Sequence, residues 1–243
     1  MIILTAGHTG AGTGAQCITT QFDEGAENIW LRNRIAEILT NKYGLVVLVD
    51  DDKASLKLLV KELSRDTACR VLSVNRPNER LKPIPISADT IEITLHSRDA
   101  ACCVRSTSGS KNNTSNERTD ARQDTARRVP TSNDFVIDLH FNAHTNPQAG
   151  GTETIVADDA TELELRMASR LAHATADSLE IPLRGIKSES ETPHRRLAML
   201  HLTPQSIILE VCFCTSPEDV EQYRRHRRKI ASTIARTIAE LIE

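Results

Sequence analysis

The chain has 243 residues, 39% hydrophobic and 26% charged, with a formal net charge of −3. That length allows one large domain or two small ones with a sizeable core, and so weak a net charge supplies no global field arguing for nucleic acid. No apolar run reaches the roughly 18 residues of a membrane span. Met1 leads directly into Ile2-Ile3-Leu4, so no secretion signal is expected. Aromatic residues are only 3% of the chain, which leaves the core to Ile, Leu, Val and Ala. The six cysteines (Cys17, Cys69, Cys102, Cys103, Cys212 and Cys214) fit no zinc-knuckle or ribbon spacing, and reduced thiols are expected.

In chain order, residues 2–6 read as a strand that runs into Gly7-His8, followed by a Gly- and Thr-rich loop over 9–16. Residues 25–42 read as an amphipathic helix with Leu31, Ile35, Ile38 and Leu39 on one face and Gly44 as its C-cap. The unbroken apolar run Leu45 to Val49 suits a strand covered on both faces. A second helix is expected over 54–64 and a half-buried strand over 89–96, where Ile91, Ile93 and Leu95 alternate. Ser106 to Asp134 holds only Ala121, Ala126 and Val129 as apolar residues and reads as a mobile surface loop. Further strands are expected at 135–140, 151–156 and 206–210, and helices over 160–179 and from Ser216 to the chain's last residues. Ser216-Pro217-Glu218-Asp219 opens the last helix with an N-cap, a proline in the first turn and acids that suit the helix dipole. Strands alternating with helices imply an α/β fold: a single three-layer domain, mostly parallel twisted sheet, helices on both faces. Within that domain, 1–243, residues 65–132 read as a partly disordered insertion.

Three of these strands run into a residue that binds metal or moves protons: His8, His140 and Glu210. Open α/β sheets place ligands beyond the carboxyl ends of their strands, so parallel neighbours would bring all three to one rim. Glu24, at the start of a helix, can fold back to it. Two His and two Glu suit a catalytic zinc site, which uses three protein ligands and keeps a fourth position for water. Zinc lowers the pKa of that water to about 7, and a carboxylate off the metal then serves as general base and acid. Taken singly, a histidine at a strand end is more often a hydrogen-bonded structural residue, and an acid in a first helical turn is favoured by the dipole anyway. Glu210 is the sharper signal, because a carboxylate closing Ile207-Ile208-Leu209 is costly unless it is paired or used.

These residues resemble the amidase-3 type family of zinc-dependent N-acetylmuramoyl-L-alanine amidases. The similarity runs through Ala6-Gly7-His8-Thr9-Gly10 and Glu24-Gly25-Ala26-Glu27-Asn28. It continues in Leu139-His140-Phe141-Asn142-Ala143, Gly151-Thr152-Glu153 and Ile208-Leu209-Glu210-Val211-Cys212-Phe213. The matches fall in order over 1–64 and 134–243. The resemblance implies an amidase-3, phosphorylase/hydrolase-like architecture and a Zn2+ cofactor held by His8, Glu24 and His140. It makes Glu210 the catalytic carboxylate. The implied reaction is hydrolysis of the amide between N-acetylmuramic acid and L-alanine in peptidoglycan. The first loop departs from the family in reading His-Thr-Gly where His-Gly-Gly is usual. The stretch from Asn142 to Glu162 is too short for the inhibitory helix of some members, so an open site is expected.

Asn142 and Arg184 are candidate substrate contacts, the latter because a basic donor in a loop before Glu210 suits stem-peptide carboxylates. Glu153 reads as structural. His144, four residues after His140, enters a Pro-Gly loop and is set aside as a ligand. The basic run Arg224 to Lys229 reads as a solvated helix face, with anionic polymer binding as its other reading. A monomer acting on peptidoglycan, made in the cytoplasm without a recognisable signal peptide and released as a phage or prophage lysis enzyme, is the expected setting. Two other readings stand beside it: a zinc peptidase acting on stem peptides, and a wall-binding module that has lost activity.

Overall fold

The computed structural model describes residues 2–8, 14–17, 19–50, 73–75 and 134–242. The expected helix over 54–64, the strand over 89–96 and all of the 106–134 loop except Asp134 lie outside those residues, as do Cys69, Cys102 and Cys103. The described chain runs through β1 (Ile2–Ala6), β2 (Gln16–Cys17), β3 (Phe22–Asp23), α1 (Glu24–Tyr43), β4 (Val47–Val49) and β5 (Ser73–Asn75). It continues through β6 (Phe135–Asn142), β7 (Thr152–Val156), α2 (Glu162–Leu179), β8 (Leu183–Ser188), β9 (Ser206–Phe213) and α3 (Pro217–Ile242).

Seven strands form one sheet in the order β5-β4-β1-β6-β9-β7-β8, and β2 and β3 pair as a separate antiparallel hairpin. The pairings β4–β1, β1–β6, β6–β9 and β7–β8 are parallel, as expected of most of the sheet. Two junctions reverse: β7 runs antiparallel to β9, and β5 antiparallel to β4. β5 falls inside 65–132, so this part of the expected insertion is an edge strand of the sheet.

Alternation along the strands sorts their side chains onto two faces. Leu4, Ile137, Leu139, Ile207 and Leu209 join Leu31, Ile35, Met167, Leu171, Ile234 and Ile238 in the main core. The three α-helices of the described residues pack on this face, with α3 seated between α1 and α2. Among the described residues the opposite face carries no long helix. It is covered by the segment holding the 3-10 turns Glu189–Glu191 and Ala198–His201, where Leu200 and Leu197 pack on Ile155, Ala157 and Ile208. The expected pair of helical faces is therefore seen from one side only, and 54–64, which the sequence reads as a further helix, is not among the described residues.

The helix ends are set locally. Asp23 accepts a hydrogen bond from Ala26 N at 3.1 Å and caps α1, which stops at Gly44 in the left-handed region (φ 67°). Thr161 and Glu164 form a reciprocal capping box at the start of α2. Ser216 Oγ accepts from Asp219 N at 3.3 Å at the start of α3. The basic run on α3 is mostly a solvated helix face, as expected, with Arg224, Arg225, Arg228 and Lys229 exposed, though three of its arginines also make contacts. Arg224 donates to the carbonyls of Thr20 and Gln21, Arg225 pairs with Glu221, and the Arg227 guanidinium lies 3.7 Å from the centre of the Trp30 ring.

One buried ion pair aligns three elements. Arg32 of α1 donates to Asp50 Oδ1 at 2.5 Å, just past β4, and the same oxygen accepts from Ala6 N at 3.0 Å at the end of β1. Both side chains are almost fully buried. Removing Asp50 leaves the buried Arg32 guanidinium without this counter-charge, which costs about 3–5 kcal/mol. Asp50→Ala is therefore expected to lower the unfolding free energy in urea by about 3–5 kcal/mol. A loss below about 1 kcal/mol, the range of an exposed pair, would refute this role.

Candidate active site

The register places the candidate residues side by side. Leu139 and Phe141 of β6 point into the helix-side core, so Asp138, His140 and Asn142 point to the opposite face. His140 lies opposite Glu210 in the β6–β9 pairing, and Glu210 lies opposite Glu153 in the β9–β7 pairing. An imidazole and two carboxylates thus stand abreast on three adjacent strands. His8 follows β1, the other neighbour of β6, one residue after Gly7 N extends the ladder to Leu139 O at 2.8 Å. The convergence of strand ends expected from the sequence is what the sheet order β1-β6-β9 produces.

Glu24 reaches the same rim from the first residue of α1. It is 2% exposed. Its Oε2 accepts from Ala15 N at 2.7 Å and its Oε1 from Phe141 N at 3.2 Å. Oε1 also lies 3.7 Å from His8 Nε2 and 3.5 Å from His140 Nδ1. The two imidazole rings meet edge to face with centroids 5.1 Å apart. One donor atom from each of His8, Glu24 and His140 lies within 4.8 Å of the other two. Donors bound at about 2.1 Å to a tetrahedral ion stand roughly 3.4 Å apart, so closing on a metal requires movements on the order of 1 Å.

The surrounding groups fit a cation. Burial lowers the His8 pKa, only partly offset by the Glu24 charge, which favours a neutral imidazole able to donate a lone pair. Burial pushes the Glu24 carboxyl up, but the His140 hydrogen bond and charge, the Ala15 N–H and His8 together hold it below its ordinary value. Burial also opposes charge on His140, yet Asp138, Glu24 and Glu210 draw its pKa well above the usual imidazole range. Such a cluster of acids calls for positive charge at its centre. The Glu210 carboxyl, desolvated and close to Glu24 and Glu153, is pushed up to about 7, with His140 alone pulling it down. Glu210 Oε2 is buried and has no hydrogen-bond partner among the described residues. A buried carboxylate oxygen in that state is costly unless something binds to it.

Two features of this site escaped the sequence reading. Asp138 Oδ2 lies 3.0 Å from His140 Nε2 and its Oδ1 accepts from Thr5 Oγ1 at 2.6 Å. It orients the imidazole and leaves Nδ1 toward Glu24, as carboxylates behind metal-binding histidines do. Its spacing, two before His140 on one strand, was the available signal. Glu153, read as structural, is the hub of a polar wall. Asn142 Nδ2 donates to it at 2.7 Å, Arg184 Nε at 2.6 Å and Lys187 Nζ at 2.9 Å. The candidate contacts Asn142 and Arg184 therefore come together, with Lys187 added. Arg184 lies in edge strand β8 and not in a loop; β8 is largely exposed and interrupted by Gly185 (φ 95°), so it lacks the alternation that marks a half-buried strand. Its guanidinium also rests 4.9 Å from the centre of the Phe213 ring. His144 Nδ1 accepts from Asn146 N at 2.9 Å and takes no part in the His8–Glu24–His140 group.

These groups line a cleft of about 760 Å³ that also reaches Met199 and His194. No helix lies between Asn142 and Glu162 to fill it.

A mixed α/β sheet with two imidazoles and a carboxylate that could hold one metal, beside a further carboxylate with one oxygen unpartnered among the described residues, is an arrangement suited to a metal-dependent hydrolase. The sequence pattern of one family, the N-acetylmuramoyl-L-alanine amidases of the Amidase_3 type, matches residues 85–240. The chain belongs to this family, whose enzymes hydrolyse an amide of peptidoglycan. None of the curated proteins compared with it matches. Several solved structures share its fold at low identity. The N-acetylmuramoyl-L-alanine amidase of Clostridium difficile 630 is 17% identical with a TM-score of 0.58, over 99% of this chain and 93% of that one. The CwlD amidase of Clostridioides difficile, solved in complex with the GerS lipoprotein, is 14% identical with a TM-score of 0.59, over 99% and 96%. The catalytic domain of the CD27L endolysin, which targets Clostridia difficile, is 18% identical with a TM-score of 0.54, over 99% and 95%.

Gly7 provides a test of the site's geometry. A Cβ there would lie 1.9–2.3 Å from three atoms of the His140 ring. Gly7→Ala is expected to displace that ring while the sheet still forms, lowering divalent-cation affinity by roughly 10–100-fold, as for other residues that orient a ligand. Calorimetric metal titration alongside thermal unfolding would check this. Unchanged affinity would show that the ring does not bind the ion.

Proposed function

We propose that this chain cleaves the amide between the lactyl group of N-acetylmuramic acid and the L-alanine of the stem peptide, with zinc as its cofactor. The observation that carries the proposal is the His8–Glu24–His140 group beside the partnerless Oε2 of Glu210. Two nitrogens and one oxygen suit zinc as a catalytic ligand set. Bound zinc would polarise the amide carbonyl and acidify an attacking water.

The chain's own residues do the rest. Glu24, held by two backbone N–H groups, keeps the His8 loop and the end of β6 together around the metal. Asp138 holds the His140 ring. Glu210, with a pKa near neutrality, accepts the proton of the attacking water and returns it to the departing amine of L-alanine. Arg184 and Lys187 contribute two positive charges to the single negative charge of Glu153. Both side chains are partly exposed, and basic donors of this kind suit a stem-peptide carboxylate; Asn142 donates to the same hub. The whole chain, 1–243, is read as one catalytic domain acting as a monomer. Its setting is read as lysis from within: synthesis in the cytoplasm and release to the wall by a separate route, as for a phage or prophage endolysin.

On isolated peptidoglycan, zinc-loaded protein is expected to free the amino group of L-alanine on stem peptides. Chelation abolishes this and zinc restores it. Release of amino groups from other stem-peptide positions would instead mark a peptidase. Glu210→Gln is expected to lower kcat by about 10²–10⁴-fold, the usual contribution of a general acid–base, with zinc binding retained. A variant with parental turnover would remove Glu210 from the mechanism.

A proton-accepting Glu210 must be ionised, so kcat/KM should rise with pH and fall as pH drops through its pKa. That pKa is about 7 without a metal, and a bound cation lowers it. The acid limb should therefore lie at or below about pH 7. An activity that rises as pH falls through this range would contradict the assignment.

A further inference from the structure

Cys17 and Cys214 meet in the core just below the rim, and neither takes part in the chemistry above. Cys17 ends β2, and Cys214 follows the last residue of β9. Their Sγ atoms are 2.7 Å apart and both residues are buried. Two sulfurs in ordinary van der Waals contact lie well beyond that distance, and a disulfide brings them to about 2.05 Å. The backbones around them are pinned. Thr20 Oγ1, itself buried, is 2.7 Å from Cys214 O and 3.3 Å from Cys17 O. Cys214 N donates to Asn142 O at 2.8 Å. Arg224 reaches across from α3 to the carbonyls of Thr20 and Gln21. The fold thus presses together two thiols from positions 197 residues apart, where no drift of the chain separates them.

We infer that Cys17 and Cys214 are a crosslinking site, closing into a disulfide when the chain folds in the presence of a disulfide oxidant. The oxidant is a small-molecule disulfide or the disulfide of a dithiol oxidoreductase. One cysteine thiolate attacks it to give a mixed disulfide and one reduced thiol. The second cysteine thiolate then attacks the mixed disulfide at the cysteine sulfur, forming the Cys17–Cys214 bond and releasing the second reduced thiol. Two protons leave the cysteines and two electrons pass to the oxidant. Burial and the contact with Cys17 push the Cys214 thiol up. In the closed fold the pair is accordingly slow to exchange, and the bond forms as the chain folds or when the hairpin opens.

The bond would fasten the β2–β3 hairpin to the end of β9. That hairpin leads directly into Glu24, and β9 carries Glu210. A closed loop of this length restricts the unfolded chain strongly. The inference does not depend on the metal or the reaction.

The full chain, refolded in a mixture of oxidised and reduced glutathione, alkylated and digested with trypsin without reduction, tests it. Mass spectrometry should find the peptide 1–32 joined to the peptide 197–224. Cys212→Ala should keep that link, and Cys17→Ser and Cys214→Ser should each abolish it. The oxidised protein should have a higher Tm than the reduced protein, and this difference should vanish in both single serine variants. Peptide 1–32 recovered unlinked, or joined to 197–224 equally well when Cys214 is replaced, would overturn the inference.

Discussion

The site depends on where one carboxylate is held. Glu24 is the first residue of α1, where unpaired N–H groups and the helix dipole favour a negative charge. It is turned inward from there to accept hydrogen bonds from Ala15 and Phe141, which belong to two different parts of the chain. Each bond satisfies a backbone donor next to a metal-binding candidate: one in the loop that follows His8, the other adjacent to His140. Release of Glu24 would therefore cost more than a candidate ligand. It would leave two backbone donors unsatisfied and unfasten the loop from the sheet. A buried acid this thoroughly committed has little freedom to adopt another geometry, which is the kind of preorganisation a metal site needs.

That placement requires a sheet that separates its duties by face. Along β6, alternate residues go to the helix side, where Ile137, Leu139 and Phe141 are buried, and to the cleft side, where Asp138, His140 and Asn142 stand. β9 repeats the division with Leu209 and Val211 against Glu210. The apolar positions bind the three helices through one extended core, so the polar positions are free of the packing problem. A slip of one residue in either strand would exchange the two sets, burying the imidazole among helices and exposing leucine in the cleft. Register is consequently held by the hydrophobic core, and the site inherits it.

The legible part of this molecule was the part with strong period or strong cost. Strands β1, β6 and β9 announced themselves as apolar runs, and the acid that closes Ile207-Ile208-Leu209 was conspicuous because burial there needs compensation. The caps of α1 and α3 followed from Gly44 and Ser216-Pro217 by local stereochemistry. Less visible were features whose meaning depends on neighbours. The reversal of β7 against β9 is a topological choice that alternation does not encode, yet it is what sets Glu153 opposite Glu210. Edge strand β8 lacks a two-sided apolar environment, and so lacks its signature. Asp138 reads like any polar residue on a strand until the partner ring two positions on is known to turn back onto it. Lys187 belongs to the polar wall only because β8 lies beside β7.

The family pattern begins at residue 85 and therefore includes His140 and Glu210 but neither His8 nor Glu24. The family pattern thus covers half of the candidate centre, while His8 and Glu24 rest on the resemblance of their short motifs and on the geometry that joins them to His140. The two halves are not independent, however. Glu24 touches the backbone of Phe141, Gly7 leaves no room for anything but the His140 ring, and His8 lies against that same ring. An N-terminal segment with no role at the rim would have no reason to omit a side chain at Gly7, to bury an acid at position 24, or to aim an imidazole at another imidazole. Each of these choices costs packing or solvation where it stands. All three meet at the His140 ring, and this mutual dependence ties Gly7, His8 and Glu24 to the strand that carries His140.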